Sequence, residues 1–251
     1  MRKFTFIILL LISIIDLKAQ DYSFRKNINK DSLFEASLKK LPEAMREDYT
    51  KEYKNGNDQS KEFLLFMIAM SKSSKKELID NYEINQAEIK NLKTEYFKLV
   101  PKNYVVEIEF EPESKVLIIP EQITIKIYKN KNEKLVQENN NLELVSQNWH
   151  LKLNSKELND VLKSLNWTNE TLKEIKNLLT KANCISIQNG NIITIGFARS
   201  GMGKYSYNIF KSTLTPKQIK EYNNGCQYIY YKDSIILEYG GGAVGPQCFE
   251  K

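Results

Sequence analysis

The first third of the chain carries hydrophobic residues at helical spacing. Phe34, Leu38 and Leu41 recur at intervals of four and three, which is typical of one buried helix face. The segment FLLFMIAM, residues 63–70, is apolar on every side and predicts a buried helix. Ser74 with Glu77 forms the pattern of an N-terminal capping box. We therefore predict a helical region over residues 20–100.

Beyond residue 104 the hydrophobic period changes from helical spacing to two. In VEIEFE and ITIKIYK, apolar residues alternate with polar ones, which predicts two paired strands with one packed face. Glu107, Glu109 and Glu111 form an acidic row that can lie opposite Lys126. We interpret this row as a solvated sheet face. A surface for a cation or a basic partner is the alternative left open.

The segment LELVSQNWHLKL predicts one further strand or a pair of strands, and two amphipathic helices follow it. We therefore divide residues 101–183 into strand hairpins followed by two helices. The pentapeptide EIKNL occurs at 88–92 and again at 174–178, each time in a predicted helix before a strand. Whether this reflects a duplication stays open, because these residue types are the commonest in the chain.

Residues 184–251 form a third region, rich in glycine, tyrosine and cysteine. Five strand-like segments occur there, and Thr215 followed by Pro216 predicts the start of one short helix between them. The predicted fold class is α+β: a helical N-terminal region followed by antiparallel β-rich regions with interspersed helices.

The N-terminus has the pattern of a secretory signal peptide. Arg2 and Lys3 precede an apolar run over 4–15, shorter than the about 20 residues that span a bilayer. Cleavage after Ala19 makes 1–19 the signal peptide and leaves no stable membrane span. An uncleaved anchor is the alternative, because Leu17 is large for its position. We expect an exported protein, periplasmic or extracellular.

Composition excludes several classes of function. The 251 residues carry a formal net charge of +6, spread over many lysines rather than gathered in a patch, so we expect no nucleic-acid partner. A single histidine and three scattered cysteines exclude the common zinc ligand sets. We expect no metal and no cofactor.

The segment GFARSGMGKYSY, residues 196–207, looks at first like a phosphate-binding loop. Ala198 stands where that motif needs its first glycine, and Tyr205 where it needs Ser or Thr. The loop also runs from strand to strand, so no helix N-terminus faces an anion. We predict a β-hairpin and no nucleotide partner.

A hairpin turn can still be a binding tip. We predict a recognition surface formed by the 199–207 tip and the 238–245 loop, because tyrosine, glycine and arginine suit adaptable contacts. Its candidate binding residues are Arg199, Lys204, Tyr205, Tyr207 and Tyr239. The alternative left open is an ordinary sheet whose tyrosine hydroxyls face water.

The cysteines predict one disulfide bond in an oxidising compartment. If the last two strands form a hairpin, the chain doubles back and Cys248 returns towards Cys226, so we predict this pair. Cys184 is then a small buried residue at the start of a strand. Its alternative role is a nucleophile activated by His150, although nothing in the sequence places the two together.

Residues 184–249, with GFARSGMGKYSY and EYGGGAVGPQCF, resemble a segment of uncharacterised exported bacterial proteins, a resemblance that implies no activity or site. We predict a non-catalytic binding or inhibitor-like protein, with a protein or another envelope component as its partner. One alternative is an envelope hydrolase acting on glycan or peptidoglycan, with Glu238 as its acid. The other is a structural envelope protein.

Overall fold

The computed structural model describes residues 23–130, 142–240 and 247–249. The predicted signal peptide, residues 1–19, lies outside the described residues, as does most of the 238–245 loop. In the part that is described, no helix is both long and apolar enough to cross a membrane. The described residues form seven helices and eight strands, which confirms the α+β fold class.

Three short helices form an N-terminal cluster with its own apolar centre. They are α1 (Lys30–Leu38), α2 (Glu43–Asn55) and α3 (Asp58–Ala69). Phe34, Leu41, Leu65 and Ile68 are buried together there. The expectation that α3 is buried on every side is wrong, because Phe63 is 65% exposed.

The long helix α4 (Lys75–Leu99) follows and packs on the sheet. Ser74 and Glu77 cap its N-terminus in the predicted capping box. Asn85 departs from helical φ/ψ inside α4, so the helix is kinked there. Ile89 and Leu92, within the first EIKNL, face the core.

All eight strands belong to one sheet, in the order β3-β2-β1-β4-β5-β6-β8-β7 with antiparallel pairing. The strands are β1 (Tyr104–Glu111), β2 (Gln122–Asn130), β3 (Leu142–Lys152), β4 (Ser186–Gln188), β5 (Ile192–Ser200), β6 (Gly203–Phe210), β7 (Tyr228–Lys232) and β8 (Ile235–Gly240). The helices α5 (Lys156–Ser164) and α6 (Asn169–Lys181) separate β3 from β4, and α7 (Pro216–Tyr222) separates β6 from β7.

One face of the sheet is apolar and is covered by helices. Ile125, Ile108, Ile187, Ile195 and Tyr207 lie side by side across five strands, and each is buried. They share one core with the apolar stripes of α4, α5 and α6. Because side chains alternate along a strand, the remaining residues form an opposite, polar face.

The chain order shows an internal symmetry. A helix followed by three strands occurs twice, first as α4-β1-β2-β3 and then as α6-β4-β5-β6. In the sheet these strands are mirrored about the pairing of β1 with β4. The two copies of EIKNL lie in the two equivalent helices, and Ile175 and Leu178 are buried like Ile89 and Leu92. The repeat thus coincides with a repeated αβββ unit.

Three residue pairs join the two units along β1 and β4, namely Glu107 with Gln188, Ile108 with Ile187, and Glu109 with Ser186, and one further backbone hydrogen bond runs from Phe110 N to Ile185 O. We call this short pairing the seam. A ladder of so few pairs supplies little cohesion on its own, so side chains that cross the seam gain importance for stability.

Candidate functional site

Five charged side chains meet on the polar face beside the seam. Glu107 and Glu109 lie on β1, Lys126 on β2, Arg199 on β5 and Lys204 on β6. We call them the charge network. They come from both αβββ units, so the network spans the seam.

The ion pairs form a continuous chain. Lys126 Nζ lies 2.9 Å from Glu107 Oε2, and Lys204 Nζ lies 3.5 Å from Glu107 Oε1. Lys204 Nζ is 3.0 Å from Glu109 Oε2, while Arg199 Nε donates to Glu109 Oε1 at 2.6 Å. Both oxygens of Glu109 are therefore engaged by cations.

Glu109 and Lys204 are so deeply buried that each needs the opposite charge of the other to stay ionised. Glu109 is 3% exposed and Lys204 is 7% exposed. Burial alone would raise the pKa of Glu109, but Lys204 and Arg199 hold it below its ordinary value. Burial likewise opposes the charge of Lys204, and Glu109 and Glu107 nevertheless raise its pKa. The buried pair is held in its charged state. The expected solvated sheet face is wrong at Glu109.

A glycine lets Lys204 reach across the sheet. Lys204 lies on β6, and its Nζ contacts Glu109 on β1 and Ser186 Oγ on β4, at 3.2 Å for the latter. Gly196 on β5 lies beneath the lysine stem: a Cβ there would fall 2.9 Å from Lys204 Cδ and 2.1 Å from Ser186 Oγ. Any side chain at residue 196 would block this path.

We therefore expect Gly196→Ala to lower the free energy of unfolding by about 1–3 kcal/mol, because the methyl group overpacks the path and displaces the Lys204 stem. Urea unfolding monitored by circular dichroism measures the effect. Gly225→Ala is the comparison for a glycine with open space around it, although its positive φ of 67° adds strain of its own. A Gly196→Ala variant as stable as the native protein would show that Lys204 does not need this path.

Glu109 does not have the properties of a general acid. A general acid needs a carboxyl whose pKa is raised, whereas that of Glu109 is lowered. Among the described residues no cluster of His, Cys, Asp or Glu is arranged to hold a metal ion. The paired charges instead join β1 to β5 and β6.

The predicted hairpin of 196–207 is present. β5 and β6 are joined by a two-residue turn in which Gly201 has a φ of 57°, a conformation that glycine adopts readily. The turn packs on the segment between α3 and α4, since Gly201 N donates to Ser71 O at 2.8 Å and Ser73 N donates to Ser200 Oγ at 3.0 Å. The tip therefore contacts the protein's own chain.

Most of the predicted binding residues lie inside the fold. Tyr205 stacks on Tyr239 at 4.2 Å between ring centroids, and Tyr207 donates from its hydroxyl to Leu78 O at 2.6 Å. Tyr205 and Tyr207 are buried, and Lys204 and Arg199 belong to the charge network. These side chains are therefore engaged in contacts within the protein.

Glu238, the candidate acid, lies on β8 far from the other carboxylates of the sheet. Asn208 Nδ2 donates to it at 2.7 Å and Gln227 Nε2 at 3.1 Å. Three strands separate it from β1, which places Glu109 about 19 Å away at the usual strand spacing. Carboxyl pairs that cleave glycosides stand about 5–10 Å apart, so these two cannot form such a pair.

The predicted disulfide bond between Cys226 and Cys248 is confirmed. Phe249 N donates to Cys226 O at 2.9 Å, and the Phe249 ring packs against Tyr205 and Tyr239. The bond thereby fixes the described C-terminal residues on the sheet.

Cys184 is free and buried, as expected. Desolvation raises the pKa of its thiol to about 12, so it is not a reactive nucleophile. His150 lies on β3, which β2 and β1 separate from β4, and its Nδ1 is 3.7 Å from Glu111 Oε2. The structure does not bring Cys184 and His150 together.

A surface that the sequence did not single out lies along the edge strand β3. Of the nine strongly exposed large hydrophobic side chains among the described residues, three lie on β3, namely Leu144, Val145 and Trp149, and a fourth, Leu153, directly follows it. Together with Gln147 they make up what we call the β3 surface. Trp149 is 50% exposed, and Lys126 Nζ lies 4.9 Å from its ring centroid, a cation–π distance.

Comparison with known proteins gives no relative. No family model, no curated protein and no solved structure matches this chain.

Proposed function

We propose that this is an exported, non-catalytic binding protein that contacts another protein through the β3 surface. The observation that carries the proposal is the concentration of exposed apolar side chains on one edge strand and the residue directly after it. Scattered exposed hydrophobic residues are normal, but a contiguous group is typical of a protein interface.

Trp149 has the properties of an interface hot spot. It is a large aromatic residue, its ring is half exposed, and it is held in place through Lys126, which is itself paired with Glu107. A side chain that is already fixed loses little conformational entropy when a partner covers it. Tryptophan is also among the residues most enriched at binding hot spots.

Export rests on the N-terminal sequence pattern, and the disulfide bond is consistent with it. Structural disulfides persist in oxidising compartments such as the periplasm and the cell exterior. Glu238 has neither a second carboxylate of the sheet beside it nor a free oxygen, because Asn208 and Gln227 occupy its carboxylate. Its geometry therefore lends the hydrolase alternative no support.

The proposal is tested by affinity capture from native envelope and culture medium. The baits are the mature protein, Trp149→Ala, and Ile84→Ala as a matched control, since Ile84 is an exposed hydrophobic residue on α4. We expect one partner to be retained by the native and control baits, and its affinity for Trp149→Ala to fall about 30-fold, as loss of a hot spot implies.

Circular dichroism establishes that the three baits are equally folded. Equal retention of the partner by all three baits would refute a role for the β3 surface. Loss of the partner with Ile84→Ala alone would move the binding surface to α4.

A further inference from the structure

The two edge strands of the sheet differ in whether side chains occupy their outer backbone N–H groups. At the β7 edge, Asn223 Oδ1 accepts a hydrogen bond from Tyr230 N at 3.1 Å, and Asn224 Oδ1 accepts one from Tyr228 N at 3.0 Å. Side chains thus occupy backbone donors that another strand would need. At the other end of the strand order, the outer side of β3 pairs with no described strand. An uncovered edge is a template for pairing with another strand.

The β3 edge has a pattern that is symmetric about Gln147. Ser146, Gln147 and Asn148 pair regularly with Ile127, Lys126 and Ile125 of β2. The register of β3 against β2 shifts on both sides of this stretch. The exposed Val145 and Trp149 stand two residues before and two residues after Gln147.

We propose that the partner of β3 is a second copy of this chain, paired antiparallel about a two-fold axis at Gln147. This inference rests on the proposed function and names its partner. In such a pairing Gln147 faces itself, and Val145 of each copy faces Trp149 of the other. Aromatic and β-branched residues are favourable cross-strand neighbours, so each copy covers the exposed side chains of the other.

Shape favours a second copy over an unrelated strand. The register shifts of β3 against β2 lie on either side of Gln147, so the regular stretch of this edge is symmetric about that residue. A two-fold axis through Gln147 uses that symmetry, because each copy then presents the same surface to the other. Such interfaces between identical copies are the commonest in homo-oligomers.

Charge favours the antiparallel direction. Glu143 stands near one end of β3 and Lys152 at the other, and both side chains are exposed. Antiparallel pairing brings the acidic end of one copy beside the basic end of the other, at both ends of the interface. Parallel pairing would bring like charges together, which is destabilising.

Engineered cross-linking tests the register directly. Gln147→Cys places two thiols on the two-fold axis, where cross-strand Cβ atoms are about 5 Å apart, close to disulfide range. The matched control is Glu143→Cys, also exposed and on β3, whose two copies would be about 26 Å apart. We expect mild oxidation to convert most of Gln147→Cys into a covalent dimer and to leave Glu143→Cys monomeric. The native Cys184 is buried and does not interfere.

Sedimentation velocity over a range of concentrations gives the independent measurement. We expect the native protein to dimerise reversibly, and Val145→Asp to raise the dissociation constant at least tenfold by placing an unpaired carboxylate against the Trp149 ring. A native protein that stays monomeric throughout, with equal cross-linking of the two cysteine variants, would overturn the self-pairing. If Trp149→Ala still loses a captured partner in that case, only the identity of the partner is wrong. If it loses none, the β3 surface is not a binding surface.

Discussion

Replacing Lys204 with methionine is expected to lower the free energy of unfolding by about 3–5 kcal/mol, the usual cost of leaving one member of a buried ion pair unpaired. Lys204 Nζ lies 3.0 Å from Glu109 Oε2, and both side chains are almost fully buried. Without the lysine, Glu109 keeps Arg199 but has an unpaired oxygen in a desolvated position. The loss is measured by urea or thermal unfolding monitored by circular dichroism.

Two further variants show whether the loss of stability comes from the unpaired charge of Glu109. Glu109→Gln in the Lys204→Met background removes the unpaired carboxylate, and we expect it to restore part of the lost stability. Lys126→Met removes a partly exposed member of the same network and is expected to cost about 1 kcal/mol. A Lys204→Met variant within 1 kcal/mol of the native protein would mean that the network does not stabilise the seam.

The network also predicts how stability depends on pH. The pKa of Glu109 is lower in the folded state, so its contribution is complete above the unfolded pKa and is lost as pH falls through the folded value. The loss of stability at acid pH therefore begins below 4.5, the ordinary pKa of this carboxyl group. The pKa of Lys204 is raised, so its contribution is complete below 10.5 and is lost as pH rises through the folded value. The double variant Lys204→Met/Glu109→Gln is expected to lose the contributions of these two groups at both ends of the pH range.

The second large effect is expected from reduction of the Cys226–Cys248 bond. The cysteines are 22 residues apart in sequence, and closing a loop of this size contributes about 3 kcal/mol by restricting the unfolded chain. For a chain of this length that corresponds to a fall in the melting temperature of about 6–12 °C. Thermal unfolding with and without a reductant measures the fall, and the Cys226→Ser/Cys248→Ser variant should match the reduced protein.

Local structure at the C-terminus is expected to change with the same bond. Phe249 lies against the stacked rings of Tyr205 and Tyr239, and without the disulfide only its backbone contact and packing hold it there. The near-ultraviolet circular dichroism of these tyrosines reports its release. Thiol labelling of the native protein should modify no cysteine, since Cys184 is buried. Labelling of two cysteines without reductant would show that the bond is absent.

Local patterns in the sequence predicted most of the elements. The alternation in VEIEFE and ITIKIYK identified β1 and β2 and indicated that the acidic row can lie opposite Lys126; the register pairs Lys126 with Glu107 of that row. The glycines of 196–207 identified the hairpin, and the spacing of strands identified the disulfide pair. Each of these features depends on residues close together in the chain.

The site was harder to predict because it depends on the pairing of distant strands. Lys204 and Glu109 are 95 residues apart, and nothing local to either shows that β4 pairs with β1. The sequence therefore indicated an exposed tip for Lys204. In the structure its side chain passes over Gly196 and is buried at the seam. The β3 surface was missed for another reason: its two register shifts change the phase of the strand, so LELVSQNWHLKL shows no steady alternation.

The seam also bears on how the chain folds. Each αβββ unit can build its own hairpins from neighbouring segments, whereas β1 meets β4 only after a long stretch of intervening chain has been ordered. Contacts of high sequence separation form slowly, because the entropy of closing the loop is lost before the contact forms. The two units are then expected to act as separate cooperative folding units that dock last, and a slow docking step would leave the edges of β1 and β4 unpaired in the meantime. The pairing of Lys204 with Glu109 would complete that step, and the same pairing would hold the units together once they have met.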